Sequence, residues 1–389
     1  MSSWSEVLVA ECRSVLEQVR SSAPDYAGIR VEPVAGPSGY RADGNIQVRA
    51  KCLWAVQYEP RPFADPVLEE LFRAEIAWHR QAPFQGYSDQ LKLAAYLVAL
   101  GRPEGVLSLM WTAKGANFDT WCGFDSRFLG VGGVSAAIEE ASAAEPVDTD
   151  LLRHLVGDSG PRFSDNDVAT YLDEVADYFP AQPSDEPPST WFERARLLGD
   201  TVAAREALDD WVRSDTPPSD DGLQHNLASI GYFGDAVAVQ LRVVAANGGE
   251  RAKPLAGIRL AELQRKARLF DTAFDSLKRT RRGVNDTTDK NGYVRRRLAE
   301  EGFLLAAGTE GRLARRAFIL ADEVAQDRTI HQVVRISGSE PSDEWLPLVV
   351  LEAGADAATN VGEHGRADEY RDRASRERQR IRAATGDAS

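Results

Sequence analysis

The side chains with the most chemistry in this sequence gather between Asn117 and Asp125, in the run Asn-Phe-Asp-Thr-Trp-Cys-Gly-Phe-Asp. Asp119 and Asp125 are hard acceptors, fit for acid–base work or for holding a polar ligand. Cys122 is a candidate nucleophile, provided a cation or helix end lowers its pKa. Phe118, Trp121 and Phe124 would wall a pocket, with Asn117 and Arg127 adding hydrogen-bonding groups at its ends. The same residue types also have a structural use. Aromatic rings plug the space between helices, and Asn and Asp cap helix starts. Just downstream, Gly130-Val-Gly-Gly133 precedes a helical run and offers backbone N–H groups to a phosphate. A dinucleotide fingerprint needs a strand before that loop and Gly or Ala at 135, where Ser135 stands, so a helix-entry loop is the better expectation.

Other constellations fall short. Asp289-Lys-Asn-Gly292 imitates the middle of a calcium loop, but Thr287 and Leu298 occupy the outer ligand positions. It reads as an inter-helix turn. His79, His154, His225, His331 and His364 are far apart, and no two Cys stand at zinc-ligand spacing, so neither a metal nor a cofactor is expected. There is no P-loop and no nucleophile elbow. A basic cluster, Arg279, Arg281, Arg282, Arg295, Arg296 and Arg297, could meet carboxylates or phosphates. Arg279, Arg282, Arg295 and Arg296 are the partner-binding candidates.

Composition narrows the class. The chain has 389 residues, 43% hydrophobic and 27% charged, with a net charge of −14. That is the profile of a soluble globular protein of two or three domains. The acidic balance argues against nucleic acid, which needs a basic face. The charge is uneven, however. Residues 138–221 hold 21 acidic and 6 basic groups, while residues 251–300 hold 14 basic and 6 acidic. No apolar run approaches the ~20 residues that cross a bilayer, and no signal peptide is evident at the start. Three isolated cysteines fit a reducing cytoplasm, and the abundance of Arg and Ala suggests a bacterial source.

The elements that must position these groups are mostly helical. Trp4, Leu8, Cys12, Val15 and Val19 recur at helical spacing. Ile46, Val48, Ala50, Cys52, Trp54, Val56 and Tyr58 alternate, which predicts a half-buried strand, with Ile29 and Val31 in a partner strand. Residues 1–62 are therefore expected to form a small N-terminal α+β module. Residues 63–181 read as a helical region. It includes a hairpin over 88–113, with Pro103 in the first turn of its second helix, and an irregular aromatic and Gly-rich insertion at 114–135. Residues 182–188, Gln-Pro-Ser-Asp-Glu-Pro-Pro, suggest a linker. Residues 189–389 follow as a helical array. The fold class expected is mainly α: an α-solenoid of helical hairpins behind the α+β module.

The array shows a period. Leu197-Leu-Gly-Asp200 and Tyr232-Phe-Gly-Asp235 lie 35 residues apart, and Arg268-Leu-Phe-Asp271 follows at nearly the same interval. Aligned in this way, Ala204, Val239 and Ala273 share one position, and Leu208, Val243 and Leu277 share another four residues on. A period of this length is the mark of a helix-turn-helix repeat. The pattern resembles the tetratricopeptide repeat over roughly residues 190–325, with Gly199, Ala204 and Leu208 at that family's turn glycine and small and large second-helix positions. Val239 departs from its alanine and Arg268 from its glycine. The resemblance implies a concave superhelix that binds peptides or proteins and implies no catalysis.

The expected function is accordingly a cytoplasmic, TPR-like protein that binds a protein or peptide partner in a concave groove. The alternative is an enzyme or small-molecule binder with a pocket around residues 117–133. A third reading is an acidic immunity or inhibitor protein using the acidic stretch 138–221.

Overall fold

The computed structural model describes residues 3–35, 41–59, 65–82, 86–250, 252–286, 292–326 and 346–385. Among them the protein is mainly α-helical, with nineteen helices and two small antiparallel ribbons. No helix among the described residues is long and apolar enough to cross a membrane. The chain divides into two compact units, Met1–Ala203 and Ala204–Ser389.

Unit 1 opens with the expected amphipathic helix α1 (Ser3–Ser21). A 3-10 turn at Ala27–Ile29 follows, where a strand was expected. The ribbon is β1 (Pro33–Ala35) against β2 (Arg41–Asp43), with Pro33 opposite Asp43. The alternating stretch after it is a helix, α2 (Ile46–Gln57). The strand expected there is thus corrected. The apparent period of two arose because α2 is wrapped by neighbours and buries Arg49 and Gln57 as well as its apolar residues. A helix covered on nearly all sides shows no amphipathic period.

Two buried ionic clusters fasten α2. Arg49 meets Asp43 and Glu75, with its Nε 2.8 Å from Glu75 Oε1, and all three side chains are sealed from solvent. Near the end of α2, Gln57 and Tyr58 bond Glu186, whose carboxylate also accepts from Arg194 at 2.6 Å. The Arg194 guanidinium lies 5.1 Å from the Trp54 ring centre and 4.9 Å from that of Trp191. The Pro-rich segment 182–188 is thereby tied into unit 1 by a buried carboxylate.

The remaining helices of unit 1 are α3 (Pro66–Gln81), α4 (Asp89–Gly101), α5 (Val106–Lys114), α6 (Phe118–Gly123), α7 (Val134–Ala143), α8 (Thr149–Leu155), α9 (Asp165–Tyr178) and α10 (Pro188–Leu197). A second ribbon, β3 (Val156–Gly157) with β4 (Gly160–Pro161), follows α8. Pro103, expected in the first turn of its helix, lies before α5, which begins only at Val106. Ser164 caps α9 in a capping box with Asp167.

Helix α11 (Thr201–Arg213) carries the division between the units. Unit 2 continues with four helical hairpins: α12 (Asp220–Ser229) with α13 (Phe233–Ala246), α14 (Pro254–Lys266) with α15 (Phe270–Asp286), α16 (Tyr293–Ala307) with α17 (Gly311–Ala325), and α18 (Leu348–Asn360) with α19 (His364–Thr385). First helices pack on first helices, α14 on α16 and α16 on α18. One apolar core runs from Ile258 through Phe303 and Phe318 to Ala374.

The hairpins share two local features. Gly199, Gly231, Arg268 and Gly362 all take a left-handed backbone at the turn. Each is followed by the same helix-ending bond, from the N–H of Asp200, Tyr232, Leu269 and Glu363 to the carbonyl five residues back. The turn between α16 and α17 differs: Asn360 Nδ2 donates to Ala306 O and Thr309 O there. The second feature is a fully buried alanine at the fourth residue of every second helix: Ala204, Ala236, Ala273, Ala314 and Ala367. This corrects the expected register. Ala236, and not Val239, matches Ala204 and Ala273, and Gly231, not Gly234, is the turn residue.

Candidate functional site

The 114–135 segment, read as irregular, holds one short helix, α6, and a 3-10 turn at Ser126–Gly130, and runs into the start of α7. Its chemical side chains mostly hold that fold. Asn117 caps α6 in a capping box with Thr120, and its Nδ2 donates to His79 O at 2.9 Å. Asp119 Oδ2 accepts the Gly86 N–H at 3.1 Å. Asp125 caps the 3-10 turn Ser126–Gly130 and pairs with Arg127 at 2.8 Å. Burial pushes the Asp125 carboxyl up, but hydrogen bonds from Arg127 and the nearby Lys114 charge outweigh this and hold it below its usual range. Arg127 in turn lies 4.1 Å over the Tyr171 ring. Phe124 is buried against Phe128 and Tyr87. Thus Asn117, Asp119, Asp125, Phe124 and Arg127 are each engaged in local contacts.

What remains outward is Phe118, 76% exposed, Trp121, 40% exposed, and the exposed thiol of Cys122. Trp121 is held from behind by Trp111 and His154, which the sequence did not connect with it. Its ring centre is 4.9 Å from His154 and 5.6 Å from Trp111, whose indole N–H donates to Asp148 at 2.7 Å. The buried Lys114 ammonium donates to Trp121 O and Phe124 O, closing the C-terminal end of α6. Desolvation lowers its pKa. Ser126 Oγ stands 3.1 Å from His154 Nδ1. Burial, with the Lys114 and Arg162 charges, lowers the His154 pKa. No spacing rule links residues 111, 121, 126 and 154, and only the packing of α5, α6 and α8 brings them together.

The glycine loop does not offer an open anion seat. Asp165 Oδ1 accepts the Val134 N–H at 2.8 Å, so a carboxylate already sits at the start of α7. His79 is buried beside Glu75 O and the Ser88 N–H, His225 and His364 are exposed, and His331 lies outside the described residues. The same is true of Asp289 to Asn291 in the calcium-like run, while Gly292 precedes α16 with a left-handed backbone. Among the described residues no three His, Cys, Asp or Glu side chains group to hold a metal.

In unit 2 the basic cluster is woven into ion pairs. Arg279 pairs with Glu250 at 3.0 Å and Arg281 with Glu323 at 2.6 Å, while Arg282 is exposed. Arg295 and Arg296 lie half-buried on the first turn of α16. A second row crosses the first helices, and the sequence reading missed it. Arg259 Nε donates to Gln224 at 3.2 Å. Glu262 meets three cations, Lys266 at 2.7 Å, Arg259 at 2.9 Å and Arg297 at 3.9 Å. Arg265 grips the buried Glu301 at 2.6 Å. Desolvation raises the Glu262 pKa, but Lys266 and Arg259 more than reverse it, whereas for Glu301 burial wins over Arg265. Helical spacing within α14 would have shown Arg259, Glu262 and Lys266 on one face. Their partners on α12 and α16 could not be read that way.

Comparison with protein-family models, curated proteins and solved structures finds no match.

Proposed function

We propose that this chain is a helical-repeat protein that holds a protein or peptide partner along unit 2, in a groove lined by α12, α14, α16 and α18. The observation that carries this reading is the recurrence of one hairpin, with the same buried alanine in each second helix and the same left-handed turn in all but one hairpin. Hairpins that cannot bury their apolar faces alone stack on their neighbours, and the array then offers side chains in parallel rows. Such rows suit an extended segment better than an enclosed small molecule. An α-solenoid of tetratricopeptide-like character, working in a bacterial cytoplasm, belongs to the same proposal.

The chemistry of the rows points to an acidic segment. Glu262 is shared by three cations, and Arg295 and Arg296 add positive charge on α16, with Arg279 and Arg282 on the neighbouring α15 outside the groove's lining helices. Guanidinium groups suit carboxylates through paired N–H donors. The test is native mass spectrometry of the full-length protein purified from its own host, followed by hydrogen exchange on the complex. A second polypeptide that protects α14 and α16 supports the proposal. A partner that protects only unit 1, or a bound mass of a few hundred daltons, overturns it.

A second reading has one observation in its favour. The Ser126 hydroxyl and the His154 imidazole meet at 3.1 Å beside Trp111 and Trp121, the relation of a nucleophile to its base. A serine-directed fluorophosphonate would label Ser126 in the wild type and not in His154→Ala. Absence of labelling in the folded wild type removes this reading.

A further inference from the structure

We infer that unit 1 carries a separate docking groove for a basic amphipathic helix of a partner protein. The groove, of about 570 Å³, lies between α4, the glycine loop 130–133 and α9. On α9 it is lined by Val168, Ala169, Leu172 and Ala176, whose spacing places them on one helix face. Tyr96 and Leu100 of α4 form the other wall. Gly132 and Gly133 contribute backbone to the lining between the walls. Ala169 is exposed, and Leu172 and Ala176 are half-buried, so apolar surface is available along the stripe.

The rim decides the occupant. Asp165 and Asp173 flank the apolar stripe, and Arg102 is the one cation among the lining residues. Asp177 continues the negative charge along α9, and Glu139 and Glu140 add to it on α7; all three are exposed. The Asp165 carboxylate on the Val134 N–H turns away anions from the start of α7. An apolar floor between helical walls with an acidic rim is the setting for a helix whose own apolar face is bordered by Lys or Arg. This groove uses none of the unit 2 residues, so it stands or falls independently of the reading given above.

The probe is a synthetic helix with leucine on one face and lysine on the other, compared with its leucine/glutamate twin. Binding to the full-length protein is followed by fluorescence anisotropy. The lysine peptide is expected to bind at least about tenfold tighter than the twin, a difference of ~1.4 kcal/mol. Ala169→Trp fills the groove at an exposed position without changing charge, and should weaken binding by at least about tenfold. Asp173→Lys, also exposed, should weaken it by a similar factor and reduce its salt dependence. Circular dichroism establishes that each variant is folded. The inference is overturned if the lysine peptide does not bind or if the twin binds equally well. It is also overturned if Ala169→Trp leaves affinity unchanged, since the peptide would then be responding only to a diffuse acidic surface.

Discussion

Substituting Gly257 by alanine puts the close contact of α14 and α15 to a quantitative test. A Cβ built at Gly257 would lie 2.3 Å from Thr280 Oγ1 and 2.8 Å from Glu250 Cβ. Thr280 is fully buried, so its hydroxyl has nowhere to retreat. Overpacking of this kind costs about 1–3 kcal/mol, and contacts this short argue for the upper end. Against it stands the ~1 kcal/mol by which alanine outperforms glycine inside a helix. The net expectation is a loss of about 2 kcal/mol, or ~6 °C in Tm for a unit of this size. Urea unfolding followed by circular dichroism should show a lower midpoint with an unchanged slope. In a Thr280→Ala background the hydroxyl contact is gone, and the cost should fall to ~1 kcal/mol or less. If Gly257→Ala were instead stabilising by ~1 kcal/mol, the close approach of the two helices would be refuted.

Other perturbations probe the remaining features. Arg268 holds a left-handed turn at φ 60, so Arg268→Gly should stabilise unit 2 by ~1 kcal/mol in the same assay. Glu186→Ala would leave Arg194 buried among Trp54, Tyr58 and Trp191 without its carboxylate. A loss of about 3–5 kcal/mol is expected, measured as a lower thermal midpoint for unit 1. Neutral His154 contributes stability at pH 7 that declines as pH falls through its ordinary value of 6.5, because the unfolded chain then takes up a proton the folded site resists. His154→Phe should flatten that part of the stability–pH curve. Burial pushes the Cys12 and Cys52 thiols up to about 12 while Cys122 is exposed, so a disulfide reagent should titrate one thiol quickly, and none in Cys122→Ser.

Much of the helical layout was legible because surface helices declare a face. The α1 pattern was readable from its apolar spacing, and the hairpin over 88–113 from the same kind of signal. What failed was buried. In α2 the positions that read as polar, Arg49 and Gln57, are sealed in ionic clusters, so the period of three to four was lost and an accidental alternation took its place. The repeat register slipped for a different reason. The buried alanines are separated by 32, 37, 41 and 53 residues, and a fixed 35-residue step aligned the wrong position at Val239. In the 117–127 segment the same residue types suit a pocket or a cap, and Asn117 and Asp125 serve as caps. The Trp111–Trp121–His154 cluster and the Gln224–Arg259–Glu262–Arg297 row depend on tertiary packing, which no local pattern encodes.

Those unequal intervals bear on how such a chain can change. Identical modules can be duplicated or lost by slippage, because each new junction reproduces an old one. Here every junction has its own fastening: Gln240 to Ala256 O, Arg265 to Glu301, Asn360 to Ala306 O and Thr309 O. Excising α14 and α15 would strand Glu301 without its guanidinium, and duplicating them would present Arg265 to a partner lacking that carboxylate. The number of hairpins is therefore fixed by chemistry, and the chain can diversify by exchanging side chains along its rows but not by growing or shrinking one module at a time.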